Sequence, residues 1–178
     1  MMGGHGYADG VNSGTSAIFA CLGALSLPPG SEVIVPAISD PGAAMPAALL
    51  NCVPVVADTT DYSYNTGAVE IERVISPRTR AIVVAHLAGE MADIENIVAL
   101  ADNYGIPVIE DCAQAHGAVW TDGRPAGSFG SLAAFSTMSG KHHATGAQGG
   151  VVYTQDEALH WEAKRFADRG KPLQPVAS

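Results

Sequence analysis

The chain has 178 residues, of which 47% are hydrophobic and 15% charged, a composition typical of one globular domain with a sizeable core. Its formal net charge of −9 at pH 7 argues against nucleic acid as the main partner, because phosphate binding favours a basic surface. The chain lacks an apolar stretch of about 18 residues, and MMGGHGYADG has no basic region before an apolar core, so we predict no membrane partner.

The first predicted elements are a helix and a strand. The apolar, alanine-rich sequence TSAIFACLGALS at 15–26 has a helical pattern, and Ser13 and Gly14 precede it. The sequence PPG at 28–30 ends this pattern. The short β-branched sequence EVIVP at 32–36 predicts a strand.

Helical and strand patterns then continue to alternate. Asp40 and Pro41 predict an N-cap and a first-turn proline for a helix that continues to about Leu50. PVVAD at 54–58 predicts the next strand. The remaining predicted elements are helices at 68–75, 91–105 and 157–169 and strands at 80–87, 107–111, 135–138 and 149–154.

This alternation predicts the fold class. Strands that are nearly all apolar and are separated by helices are typical of a mostly parallel sheet covered on both faces. We therefore predict an α/β three-layer sandwich with a mostly parallel central sheet and helices on both faces. One domain at 1–170 is expected, and the proline-bearing sequence KPLQPVAS at 171–178 is interpreted as a tail or the start of a linker.

Ligands of such sheets bind where the strands reach their carboxyl ends. The sequence SGT at 13–15 lies immediately before a predicted helix, so its backbone N–H groups and the helix dipole favour a phosphate. A plain N-cap role for Ser13 is the alternative interpretation.

Two charged residues suggest a specific ligand. Asp111 ends a buried apolar strand, where ionisation is costly without a cationic partner. A protonated pyridine nitrogen would be such a partner, and a carboxylate beside it makes the ring a better electron acceptor. Lys141, in FSTMSGKHHATGAQGG, could form a Schiff base with an aldehyde on the same ring, and Ser136 could offer a hydroxyl to its phosphate. The alternatives are an aspartate that caps a turn and a solvated loop lysine.

Cysteine and histidine spacing gives no indication of a disulfide framework or a metal centre. Cys21, Cys52 and Cys112 are odd in number and contain no CxxC, which favours a reducing, cytoplasmic compartment. A metal site is not predicted because no pair has helical i, i+4 spacing among the candidate histidines His86, His116, His142 and His143.

These motifs occur in a combination that resembles a known family. The matching sequences are NSGTSAI, PPGSEVIVPA, PVVAD, ISPRTRAIVVAHLAGEMADI, PVIEDCAQAHGA, GSFGSLAAFSTMSGK and GAQGGVVYT. They are similar to the DegT/DnrJ/EryC1/StrS family of pyridoxal-phosphate (PLP) aminotransferases, which act on nucleotide-linked keto sugars and have an aspartate aminotransferase-like fold. The resemblance implies that positions 1–170 form most of the PLP-binding large domain.

The resemblance also implies a role for each candidate residue. Lys141 matches the Schiff-base lysine, Asp111 matches the partner of the pyridine nitrogen, and Gln114 matches the side chain near the ring and its 3-hydroxyl. The phosphate cradle matches Gly14, Thr15 and Ser136. A family subgroup that deoxygenates sugars has histidine in place of the lysine, so Lys141 favours transamination.

The implied reaction transfers an amino group from an amino acid, glutamate or glutamine, through PLP to a keto sugar. The resemblance further implies a homodimer with a shared active site in the full-length protein. Family members are longer and carry a smaller C-terminal domain, so a partial large domain is expected here. Where the family often stacks an aromatic residue on the cofactor, this chain has Ser39 and Asp40. A non-catalytic remnant that keeps the fold, and binds the cofactor or a partner without turnover, is the alternative hypothesis.

Overall fold

A computed structural model of the chain describes residues 2 and 4–173. Within these residues, seven strands form one sheet in the order β1-β7-β6-β5-β4-β2-β3. Among these strands, β7 alone runs opposite in direction to the other six, so the predicted α/β fold with a mostly parallel sheet is confirmed. The strands are β1 (Tyr7–Val11), β2 (Glu32–Pro36), β3 (Val53–Ala57), β4 (Thr79–Ala85), β5 (Val108–Asp111), β6 (Leu132–Ser136) and β7 (Gly150–Thr154).

Helices cover both faces of the sheet, and alternate residues of one strand contact opposite layers. In β4, Ala81 and Val83 belong to one buried cluster, whereas Ile82 and Val84 belong to another. This alternation follows from the period of two along a strand, and it explains why the strand is apolar throughout. The helices are α1 (Gly14–Ala24), α2 (Met45–Leu49), α3 (Ala68–Glu72), α4 (Ile94–Tyr104) and α5 (Glu157–Ala167).

Two strands differ from the sequence prediction. The edge strand β1 was not predicted, because YADGV contains glycine and aspartate and is largely exposed, so it lacks an apolar pattern. The strand predicted at 135–138 lies instead at Leu132–Ser136, because the alanines of LAAFS are buried strand residues. Pairing with β5 and β7 determines these bounds rather than intrinsic β-propensity.

The prediction of one continuous helix from Pro41 to about Leu50 is also wrong. A 3-10 turn at Pro41–Ala43 follows the Asp40 cap, whose carboxylate accepts from the Gly42 N–H at 3.0 Å. The α-helix then begins at Met45, with Pro46 in its first turn, where the missing N–H is tolerated.

Other helix and strand ends shift by a few residues. The strand predicted to reach position 87 ends at Ala85, because Leu87–Gly89 forms a 3-10 turn. Two helices are shorter than predicted: α3 ends at Glu72 instead of position 75, and α4 begins at Ile94 instead of position 91. The predicted tail lies outside the described residues from position 174 onward, and the domain end at 170 stays a prediction. Among residues 2 and 4–173, no helix is both long and apolar enough to cross a membrane.

Candidate active site

The start of α1 lies against the carboxyl end of β6. Ser13 is the N-cap, and its hydroxyl accepts from the Ser16 N–H at 3.0 Å. A Cβ added to Gly14 would lie 2.7 Å from the Ser136 Cβ, so only glycine allows this approach. The structure therefore brings together the helix N-terminus and a strand-end hydroxyl, which are a favourable environment for a phosphate.

An open cleft begins at this point and extends along the carboxyl edge of the sheet. Its volume is about 150 Å³, and the predicted residues that line it are Gly14, Thr15, Asp111, Ser136 and Lys141. A recess of about 20 Å³ adjoins it, where Gln114 joins Asp111 and Lys141. The structure thus places every site residue predicted from the sequence at one location.

Asp111 is buried at the end of β5. Its Oδ1 accepts from the Ala113 N–H at 3.0 Å. Burial raises the pKa of this carboxyl, although the Ala113 N–H and the charge of Lys141 act in the opposite direction. A buried carboxyl in this state is stabilised by a cation facing it, so it fits a protonated ring nitrogen.

Lys141 lies in the turn after β6. Its backbone N–H donates to the Met138 carbonyl at 2.9 Å, which closes the turn. The side chain is partly buried and lines both the cleft and the recess with Asp111. Its position therefore supports a cleft amine over a solvated loop lysine, since a nucleophile must face the ligand.

Gln114 and Asp40 line the other walls of the recess. The Gln114 Oε1 accepts from the Ala88 N–H at 2.9 Å, which fixes one end of its amide group. Asp40, at a position where the family often has an aromatic residue, is exposed and lines both cavities. Ser39 lines the recess as well.

A buried pair beside Asp111 was not predicted from the sequence. The Glu110 Oε2 accepts from the Gly127 N–H at 2.8 Å and lies 2.9 Å from the His86 Nε2. Its Oε1 accepts from the N–H groups of Phe129 at 2.8 Å and Gly130 at 2.7 Å. Glu110 therefore attaches the loop before β6 to the centre of the sheet.

The hydrogen bonds of His86 determine its tautomer. The Ala92 N–H donates to Nδ1 at 3.1 Å, so Nε2 carries the proton and donates to Glu110. Burial alone would raise the pKa of Glu110, but the hydrogen bonds from His86 and from the backbone N–H groups of Gly130 and Gly127 lower it overall. The signal in the sequence was a charged residue inside an apolar strand, which requires a partner.

Three of the buried side chains near Asp111 form, among the described residues, a group that could in principle hold a metal ion. His86, Glu110 and Cys112 place possible ligand atoms within 4.8 Å of one another. Both nitrogens of His86 and both oxygens of Glu110 are already hydrogen-bonded, so this is a structural hydrogen-bond network. Burial raises the pKa of the Cys112 thiol, which opposes thiolate ligation.

The fold agrees with the comparison to known proteins. The chain belongs to the DegT/DnrJ/EryC1/StrS aminotransferase family, whose sequence model matches residues 2–175.

The chain is similar to several named aminotransferases and to solved structures of this family. The chain is 38% identical over 170 residues to L-glutamine:2-deoxy-scyllo-inosose aminotransferase from Micromonospora echinospora, covering 96% of this chain and 40% of the relative. It is 40% identical over 172 residues to UDP-N-acetyl-3-dehydro-alpha-D-glucosamine 3-aminotransferase from Acidithiobacillus ferrooxidans, with 96% and 46% covered. Among solved structures, NtdA from Bacillus subtilis with the bound cofactor PMP is similar at a TM-score of 0.85 and 29% identity, with 97% and 40% covered. The chain thus spans less than half the length of these relatives.

Proposed function

We propose that the protein is a PLP-dependent aminotransferase that transfers an amino group from an amino acid, glutamate or glutamine, to a keto sugar. The observation that carries this proposal is a single cleft that combines a helix N-terminus, a buried carboxyl and a lysine. Gly14, Asp111 and Lys141 all line it. Membership of an aminotransferase family supports the same conclusion.

The residues of the cleft fit PLP in three places. The N–H groups at the start of α1, with the hydroxyls of Thr15 and Ser136, would hold the phosphate. Asp111 would face the ring nitrogen, since a cation there offsets the cost of its buried charge. Gln114 would contact the ring from the recess. When bound, PLP supplies an aldehyde that condenses with amines and a ring that accepts electrons.

Lys141 would then have two tasks. Its amine would be the group that attaches the cofactor through its aldehyde, and it would also serve as general base at the donor α-carbon. The same amine would return the proton as general acid. Its place in a closed turn beside Asp111 limits the positions that the amine can reach.

The acceptor is proposed from the names of relatives. One relative acts on a keto-inositol with glutamine as donor, and another acts on a UDP-linked keto sugar. We therefore propose a keto sugar or a related cyclic ketone as the acceptor, with a nucleotide-linked keto sugar expected from the family resemblance. A cytoplasmic location and a homodimer with a shared active site complete the proposal.

Absorbance titration with PLP tests the proposal. We expect a yellow absorption band in the wild type and in Lys164→Ala, a control lysine on α5, and its loss in Lys141→Ala. Addition of glutamine or glutamate should then remove the band, and a keto sugar acceptor should restore it.

Each other outcome has a defined meaning. A band that persists unchanged in Lys141→Ala would contradict the assignment of the nucleophile. A Lys141-dependent band that responds to neither donor would support the alternative of a non-catalytic, cofactor-binding protein.

A further inference from the structure

Asn65 lines neither cavity of the site, but it holds a turn that borders the recess through Leu87. It is buried, with 3% of its surface exposed, in the loop between β3 and α3. Its Oδ1 accepts from the Leu87 N–H at 3.0 Å, and its Nδ2 donates to the Glu90 carbonyl at 2.9 Å. One amide group therefore joins the two ends of the Leu87–Gly89 turn.

This turn adopts a backbone conformation that is unfavourable on its own. Ala88 has φ 52° and ψ 25°, the left-handed region that residues with a Cβ rarely occupy. Such a conformation persists only where surrounding contacts impose it. The two hydrogen bonds of Asn65 are contacts of this kind.

The conformation of the turn directs a hydrogen bond towards the candidate site. The Ala88 N–H donates to the Gln114 Oε1 at 2.9 Å. Because a backbone N–H can only donate, the oxygen of the Gln114 amide must face the turn. The NH2 group of Gln114 is then left to donate to an acceptor in the recess that Asp111 and Lys141 also line.

We propose that Asn65 is a positioning residue for Gln114. It holds the Leu87–Gly89 turn so that the Ala88 N–H presents the Gln114 amide as a donor to an acceptor oxygen on the ring of the cofactor. This inference rests on the proposed function, because the acceptor belongs to bound PLP. Asn65 itself contacts neither the cleft nor the recess.

A double-mutant cycle in the dissociation constant for PLP tests this coupling. We expect Asn65→Ala and Gln114→Ala each to weaken PLP binding about tenfold, and the double variant to bind within about twofold of Gln114→Ala, since both substitutions remove the same interaction. In the cofactor-free protein, Asn65→Ala should also speed hydrogen exchange at the Ala88 amide. If Asn65→Ala does not fold, Asn65→Ser, whose shorter uncharged side chain does not reach both ends of the turn, takes its place in the cycle.

Thr66→Val is the matched control. Thr66 is equally buried at 3%, and its hydroxyl lies near the Ala57 and Asp58 carbonyls rather than the turn. It should lower stability without changing PLP affinity or the exchange of Ala88. Additive effects in the cycle, or an equal loss of affinity in Thr66→Val, would overturn the positioning role. Failure of the wild type to bind PLP would refute the proposed function itself.

Discussion

Asp111 is subject to opposite requirements from stability and from ligand binding. Its carboxyl is buried and burial raises its pKa, so ionisation at neutral pH costs stability in the absence of a facing cation. The Ala113 N–H and the charge of Lys141 offset this cost only in part, so the carboxyl is suited to face a cationic ring nitrogen as well. Buried charged residues in functional sites commonly lower the stability of the folded protein in exchange for ligand binding.

We therefore expect Asp111→Asn to raise the free energy of unfolding of the cofactor-free protein by about 1 kcal/mol at pH 7. A group whose folded pKa is raised loses stability as the pH rises through that pKa. The gain should therefore disappear below about pH 3.9, the ordinary value for aspartate. Urea unfolding at a series of pH values measures it, and PLP binding should fall sharply in the same variant.

Asp102→Asn, at an exposed position of α4, is the control and should change the stability little at any pH. A free energy of unfolding at pH 7 that is lower in Asp111→Asn than in the wild type would contradict this prediction. It would mean that a native partner stabilises the carboxylate.

At the scale of elements, the site depends on close contact between α1 and β7. Gly150 begins β7, and a Cβ added there would lie 2.2 Å from the Ser13 carbonyl oxygen. The backbone at the N-cap of α1 therefore packs directly on the strand. This contact helps to place the N-terminus of α1 beside Ser136, where the phosphate is proposed to bind.

Gly150→Ala should accordingly destabilise the protein by about 2–4 kcal/mol. The new Cβ would clash with the backbone of Ser13, which cannot move aside as a flexible side chain can. Gly10→Ala, on the neighbouring strand β1, is the matched control, since a Cβ there meets no described atom within 4 Å. Thermal unfolding of both variants measures the difference. Equal midpoints for the two would show that α1 is not held against β7 in this way.

At the scale of the whole molecule, the sequence was sufficient for the class of fold and for the grouping of the candidate residues at one edge of the sheet. Asp111 and Lys141 are distant in the sequence, but β5 and β6 are adjacent parallel strands, so residues following them meet at one edge. Apolar strand patterns and strand-end polar residues predicted this arrangement without knowledge of the strand order.

What the sequence could not provide depends on tertiary contacts. β1 has no apolar pattern and is a strand because it pairs with β7. Glu110 inside an apolar strand indicated that a partner was needed, but its hydrogen bond to His86, which follows β4, depends on the order of the strands. The hydrogen bonds of Asn65 join two loops and have no local sequence signal. Likewise, Asp40 and Pro41 indicated the start of a helix, but not that a 3-10 turn would form there and that the α-helix would begin only at Met45.

Chemical trapping tests the central claim, that Lys141 is the residue that binds PLP, most directly. The protein is incubated with PLP and reduced with borohydride, which makes a lysine–PLP linkage permanent, and its peptides are then mapped by mass spectrometry. The chain has lysines at positions 141, 164 and 171. The account predicts the adduct on Lys141. An adduct confined to Lys164 or Lys171, or no adduct at all, would contradict it.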